Sequence, residues 1–266
     1  MRLFDPEQPE KWVRQFAPVA PVKVLMHLAK HNAGSSYNLF LSHNVLQNAE
    51  QFQELVKLNR TGNKQTIIVD NSVIELGHPV EAEDIRKACN ILTAALGYDY
   101  RHEVVAVLPD VLLHGKKTVE VTSKAIQTFR RASIHNMMFV PQGRSFDEIL
   151  TCAEVFKDID EIRWIGVAKN FVGVLGTRWE ITRVLQTIFP NAKFHMLGFS
   201  RDTRDDICCT LNHGVEGIDS SMPVRHPSPL SYTSDFAKRG DWWQEDIECT
   251  QMMVDNVKQV YSWLGQ

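Results

Sequence analysis

No cysteine pair in this chain is spaced for a metal. Cys89, Cys152, Cys208, Cys209 and Cys249 are scattered and form no CxxC. That argues against a zinc site or a disulfide framework and fits a reducing cytoplasm. No apolar run approaches the ~20 residues of a membrane span, and the N-terminus carries no stretch of signal-peptide length. Charge of neither sign dominates: 29 Lys and Arg face 32 Asp and Glu, a net charge of −3. The overall electrostatics therefore gives no support for nucleic-acid binding and leaves room only for a local basic patch. Internal repeats, low-complexity tracts and a clear interdomain linker are also missing. Gly34-Ser35-Ser36 could touch phosphate but lacks the P-loop spacing.

What is present is an ordinary globular composition, 44% hydrophobic and 23% charged over 266 residues. Apolar, β-rich runs alternate with longer helical patterns. Strands are expected near Val22–Leu28, Thr66–Val69, Val104–Leu108, Met137–Val140, Ile162–Val167, Lys193–Leu197 and Gly217–Ile218. Helices are expected near Asn44–Leu58, Glu81–Leu96, Lys116–Arg131, Phe146–Phe156, Trp179–Ile188 and Arg204–Leu211. Near-continuous apolar strands between helices argue for a parallel sheet covered on both faces. Seven such strands fit a single-domain (β/α)8 TIM-like barrel over residues 1–266, with the eighth strand unplaced. Pro227, Pro229 and Gly240 mark an irregular last unit before a C-terminal helix, roughly Trp242–Trp263, in which the tryptophans pack the helix.

In such a barrel the C-terminal strand ends share one mouth. Here they read Asp70-Asn71-Ser72, Pro109-Asp110, Pro141-Gln142-Gly143-Arg144, Gly166-Val167-Ala168-Lys169, Leu197-Gly198 and Asp219. Taken singly, each has a plain explanation: an Asp after a strand caps a turn, and a lone Arg or Lys is a solvated charge. Polar groups at six strand ends are harder to explain as capping. Glycine lets a flat ligand approach the backbone, while a carboxylate and the Gln142 amide can pair with a heterocycle's edge. Asp219, followed by Ser220, Ser221, Pro223 and Arg225, suits a nucleophile. His27, His31, His195 and His213 match no tight ligand motif and read as core or rim residues.

From about Ile67 to Arg225 these residues resemble the tRNA-guanine transglycosylase superfamily. Gly214-Val-Glu-Gly-Ile-Asp-Ser-Ser-Met-Pro-Val-Arg225 aligns with its Gly-Val-Asp…Asp…Pro-Thr-Arg pattern, with Val224 in place of the family's Thr. Asp70 opens the segment that matches the family's Asp-Ser-Gly-Gly-aromatic-Gln motif, whose remainder diverges here. Asp110 corresponds to the base-recognising Asp, Gln142-Gly143 to Val-Gln-Gly, Ile165–Ala168 loosely to Gly-Gly-Leu-Ala and Leu197-Gly198 to Met-Gly. The family's zinc insertion is absent, because only Cys249 follows Arg225. A trimmed barrel of this kind looks like the branch, found in phages and bacterial modification islands, that places 7-deazaguanine bases into DNA.

The resemblance implies a pentosyltransferase without cofactor or metal, in the cytoplasm or, if phage-encoded, the host cytoplasm. Asp219 would attack C1′ of a guanosine sugar and give a covalent glycosyl–enzyme intermediate. Asp70 would move protons to the leaving base and from the entering one. Asp110, Gln142, Gly143 and Gly166, with Asn71 and Ser72, would bind the base. Arg144, Lys169, Arg201, Arg204 and Arg225 would contact phosphates of a flipped or single-stranded DNA. The partners implied are DNA, a small 7-deazaguanine base and a helper protein or second copy. A zinc-free enzyme acting on tRNA, a barrel glycoside hydrolase using Asp70 and Asp219, and a non-catalytic nucleic-acid-binding relative stay open beside it.

Overall fold

The computed structural model describes residues 14–60, 65–175, 177–200, 203–212, 214–231 and 247–266. Eight strands run parallel: β1 (Gln15–Pro18), β2 (Tyr37–Leu41), β3 (Thr66–Asp70), β4 (Val104–Val107), β5 (Met137–Phe139), β6 (Ile162–Ala168), β7 (Lys193–Leu197) and β8 (Gly217–Ser220). From β2 to β8 each pairs with its neighbour in chain order, and β8 also pairs with β1, Ala17 opposite Asp219. β1 and β2 pack side by side without a hydrogen-bonded ladder, so the barrel is nearly closed. This is a single (β/α)8 TIM barrel, as the alternation of strands and helices predicts.

The helices are α1 (Val22–Lys30), α2 (Ser42–Gln47), α3 (Ala49–Asn59), α4 (Val73–Leu76), α5 (Ala82–Leu96), α6 (Gly115–Arg131), α7 (Phe146–Glu154), α8 (Phe171–Leu175), α9 (Trp179–Ile188), α10 (Thr203–Asn212), α11 (Met222–Arg225) and α12 (Gln251–Trp263). None is long and apolar enough to cross a membrane. Their apolar stripes and the strands form one continuous core.

Three differences from the sequence-based expectation stand out. Val22–Leu28, expected as a strand, is helix α1. Its buried Val22, Leu25 and Leu28 recur at three-residue spacing, a helical period, and Pro21 occupies the N-cap. The strands before and after it, β1 and β2, escaped the expectation, and one of them supplies the unplaced eighth strand. The helix expected over Asn44–Leu58 breaks at Asn48 into α2 and α3.

Residues 226–231 and 247–250 form no helix or strand, and the final helix starts later than expected, at Gln251. The Thr250 hydroxyl accepts the Met253 amide at 3.4 Å and caps α12; Gly240, Trp242 and Trp243 lie outside the described residues. Helix α12 lies over β1: Tyr261 donates its hydroxyl to the Ala33 carbonyl at 3.1 Å and meets the Phe16 ring edge-on at 5.8 Å. Asn256 on α12 donates to the Pro223 and Ser228 carbonyls and accepts the Leu230 amide. The segment after Asp219 is thereby tied to the barrel rather than left as an open loop.

Candidate active site

Strand alternation carries Asp70, Ala168, Leu197 and Asp219 to the inner face at the C-terminal mouth. There they line a pocket with about 610 Å³ of empty space, counting its opening to solvent. Asn71, Glu75, Asp110, Gln142, Lys169, Asn170 and Gly198 join them, above an apolar floor that includes Leu39, Val107 and Val140.

Asp219 Oδ1 accepts two N–H groups, from His195 Nε2 at 2.9 Å and from the Gly198 amide at 3.0 Å. Its other oxygen has no hydrogen-bond partner among the described residues. The fully buried His195 ring also meets the Tyr37 hydroxyl through Nδ1 at 2.6 Å. Burial first, then the nearby Glu216 and Asp219 carboxylates, push the Tyr37 phenol well above its ordinary value, so it keeps its proton. Tyr37 then donates to Nδ1, and Nε2 carries the proton it donates to Asp219. A neutral imidazole satisfies the whole chain, with the tautomer assigned from the hydrogen bonds.

Asp70 differs. It keeps a partly exposed edge on the pocket but is enclosed by protein, and its Oδ2 accepts the Ser72 amide at 2.7 Å. Desolvation, then Glu75, raise its pKa well above the usual carboxylate range, with smaller upward pushes from Asp219 and Asp110; the Ser72 amide opposes them. Ser72 makes that bond from a left-handed backbone, φ 58°. Glu75 on α4 is also raised, chiefly by burial, and Lys169 pulls it back.

Asp110 is held from all sides. Its two oxygens accept Asn71 Nδ2 at 2.5 Å and Gln142 Nε2 at 2.6 Å. Burial lifts its pKa to about 6 against those two bonds. Helix α6 fixes the loop: Thr122 donates to the Pro109 carbonyl at 2.8 Å, and Thr118 Oγ1 accepts the Val111 amide at 2.9 Å. Gln142 Oε1 in turn accepts the Leu113 amide and Asn170 Nδ2.

Beneath Lys169 and Gly198 lies a fully buried ion pair. Arg178 Nε donates to Asp206 Oδ1 at 2.9 Å, and its remaining donors reach the carbonyls of Val167, Leu197 and Gly198. Asp206 Oδ2 accepts the Ser200 amide at 2.5 Å. One guanidinium thus ties together the ends of β6 and β7, in the fork geometry that lysine lacks.

Asp219, Asp70, Asp110, Gln142, Asn71 and Lys169 therefore share one pocket, as the strand-end pattern implied. The other expected site residues that the structure describes do not line it. Ser72 is buried behind Asp70, its hydroxyl 3.3 Å from that of Ser42. Gly143 packs on the start of α7, where an added Cβ would sit 2.7 Å from the Ile149 nitrogen. Gly166 is covered by Leu197, Val140 and Met138 side chains. Arg144 is on the surface, 3.2 Å from His114 Nε2, and Arg204 is exposed on α10. Arg225 sits on α11, and Arg201 lies outside the described residues.

Sequence reasoning did not find Tyr37, Glu75 or Arg178, and it assigned His195 to the core or rim. Only the position of His195 two residues before the β7 end hinted at a role, and its partners come from β2 and β8.

No family model matches the chain, and no curated protein matches it. Solved structures do match in fold. An aldolase, QR15, superposes with a TM-score of 0.52 at 13% identity, over 81% of this chain and 92% of that one. An enolase protein from the environmental genome shotgun sequencing of the Sargasso Sea gives a TM-score of 0.50 at 9% identity, over 78% of this chain and 54% of that one. A mandelate racemase/muconate lactonizing protein from Herpetosiphon aurantiacus gives 0.48 at 10% identity, with the same coverages. The chain spans about half the length of the latter two. At these identities the likeness establishes the barrel alone.

These comparisons overturn the transglycosylase expectation: no family model supports it, and the matched structures are barrels of other kinds. The geometry removes its physical basis too. Asp110 and Gln142, expected to read a base edge side by side, are bonded to each other. Gly166, expected to let a base approach, is covered by side chains. Of the four expected phosphate contacts among the described residues, Arg144, Lys169, Arg204 and Arg225, only Lys169 lines the pocket. The exchange of guanine in DNA, its tRNA counterpart and the non-catalytic nucleic-acid-binding reading are withdrawn with it.

Proposed function

We propose that the chain is an acid–base enzyme that moves a proton at a carbon beside the carbonyl of a small substrate rich in hydroxyl or amino groups. The observation that carries this reading is the unlike setting of two carboxyls at one mouth. Asp219 has one oxygen held by two N–H donors and the other without a partner among the described residues, which leaves that oxygen open to accept a substrate proton. Asp70, desolvated and crowded by Glu75, favours the protonated form of an acid. A carboxyl held toward its protonated form beside a carboxyl with one open oxygen offers an acid and a base at one mouth. Lys169, the cation lining the pocket, supplies a charge for the oxygen on which negative charge develops. Carboxyls from Asp70, Glu75 and Asp219 accept the O–H or N–H groups of the substrate. Two of the barrels that match in fold are named as an aldolase and an enolase protein, names that fit chemistry of this general kind.

The test is hydrogen exchange at carbon. Small keto sugars, keto acids and amino acids are incubated with the protein in D2O and followed by NMR. The expected result is deuterium entering one C–H position of a compound that also raises the Tm, with both effects lost or strongly reduced in Asp219→Asn. A compound that binds in an Asp219-dependent way and gains no deuterium would overturn the reading.

A further inference from the structure

The pocket at the C-terminal mouth is rich in open acceptors. Asp219 Oδ2, Asp70 Oδ1 and Glu75 Oε1 have no hydrogen-bond partner among the described residues. Each keeps accessible surface, unlike Glu75 Oε2, which is sealed in protein. The neighbouring polar groups are engaged already. Asn71, Asp110 and Gln142 are bonded to one another and to the backbone of Leu108, Val73 and Leu113. Lys169 is the one cation lining the pocket among the described residues, and it makes no direct hydrogen bond or ion pair with any of them. Its chain lies over Gly198, where an added Cβ would sit 3.1 Å from Lys169 Cδ and 3.7 Å from Nζ. The Gly198 amide also holds Asp219, so the ammonium stands on the Asp219 side of the mouth. Below these groups the lining is hydrocarbon, from Val19, Leu39, Leu41, Val107 and Val140.

We propose that the substrate of this pocket is an α-amino acid with a short branched aliphatic side chain. The inference rests on the proton-transfer reading above and narrows it. With Asp219 as base and Asp70 as acid, Glu75 is the remaining acceptor and takes the substrate ammonium. A cation there offsets the burial that raises Glu75, as Lys169 already does in part. Lys169 takes the substrate carboxylate, the group on which charge develops when the neighbouring Cα–H proton leaves. The side chain descends to the valines and leucines of the floor, where its apolar surface leaves water. A sugar would set hydroxyls against that floor without partners, which costs affinity. A 2-oxo acid has no ammonium for Glu75, and a simple amine has no carboxylate for Lys169.

Isothermal titration with valine, leucine and isoleucine, both enantiomers of each, tests this. At least one is expected to bind roughly tenfold or more tighter than serine, than the matching amine without its carboxylate and than the matching 2-oxo acid. Glu75→Gln should weaken the amino acid and leave the 2-oxo acid unchanged. Lys169→Met should weaken the amino acid and leave the amine unchanged. Each pair is compared on one variant protein, so a general loss of fold would weaken both ligands and cannot imitate the expected result. No binding by any of the three amino acids, serine or a keto sugar binding as tightly, or equal weakening of both ligands of a pair would each overturn the proposal. The same samples in D2O separate it from the proposed reaction. An aliphatic amino acid that binds as expected without gaining deuterium at Cα would uphold the ligand and overturn the reaction. Deuterium entering a keto sugar instead would uphold the reaction and overturn the ligand.

Discussion

His195 Nε2 lies 2.9 Å from Asp219 Oδ1, and on its other side His195 Nδ1 lies 2.6 Å from the Tyr37 hydroxyl. The chain Tyr37–His195–Asp219 crosses the barrel interior from β2 to β8 and ends at the pocket. It orients the carboxylate and supplies one of its two N–H donors. Asp219→Asn should lower the exchange rate by about 10²–10⁴-fold, the usual contribution of a positioned base. Tyr37→Phe should lower it less, since the imidazole remains. It should cost about 1 kcal/mol of stability for the lost hydrogen bond, read by urea unfolding. Equal rates for Tyr37→Phe and Asp219→Asn would show that the phenol acts directly.

Asp70 makes the pH profile informative. Its pKa is raised, so the acid form persists above the range of an ordinary carboxyl and is lost as pH rises through the shifted value. Activity should therefore fall on the alkaline side in wild type, and Asp70→Asn should lose that limb along with most of the rate. An alkaline limb unchanged in Asp70→Asn would assign it to another group.

Asp110 should make stability fall as pH rises. Its folded pKa of about 6 lies above the ordinary aspartate value, so between roughly pH 4 and 6 the native state holds more protons than the unfolded chain. The stabilisation is complete below the unfolded pKa and lost as pH passes the folded one, a change of up to about 3 kcal/mol. Urea midpoints at pH 4 and 7 should differ less in Asp110→Asn than in wild type. The slope, not the absolute stability, is the readout, because the carboxamide also disturbs the bonds to Asn71 and Gln142.

Arg178→Met should be among the most destabilising single changes. It leaves Asp206 charged and buried and removes donors from the Val167, Leu197 and Gly198 carbonyls. Breaking one side of such a pair costs about 3–5 kcal/mol. Arg178→Lys should recover only part of this, since an ammonium cannot reach Asp206 and three carbonyls in the same plane. Full recovery by lysine in denaturant unfolding would show that charge alone matters.

Gly143 and Gly166 should differ in their tolerance of alanine. At Gly166 the new methyl would meet the ends of side chains, Leu197 Cδ1 at 2.8 Å and Val140 Cγ2 at 2.9 Å, which can shift. At Gly143 it would meet backbone, Ile149 N at 2.7 Å and Glu148 C at 3.0 Å. Gly166→Ala should cost about 1–3 kcal/mol, as overpacking does, and Gly143→Ala more. Thermal unfolding of the two variants ranks them.

Much of the barrel was legible because parallel strands buried on both faces must be apolar throughout. Ile67-Ile68-Val69, Val104–Val107 and Ile162–Val167 announce themselves. Strand β1 was not legible, because it is four residues long and opens on Gln15. Strand β2 carries Asn38 at its second position, a buried amide bonded to the Ser35 carbonyl and the Asn59 side chain. Val22–Leu28 misled through β-branched composition, although its three-residue spacing was helical.

The amino-acid sequence by itself determined the (β/α)8 architecture and the placing of Asp70, Asp110, Gln142, Lys169 and Asp219 at strand ends, because strand periodicity and turn chemistry are local. Tertiary structure decided what those groups do. Strand pairing sets His195 beside Asp219 and Tyr37, Asp110 between Asn71 and Gln142, and Arg178 under two strand ends. Those contacts join residues 11 to 158 positions apart, and they control which carboxyl is desolvated, which is bonded on both oxygens and which keeps one oxygen open. The family resemblance failed at this level, since residue types shared in order along a chain do not specify which of them bond to each other.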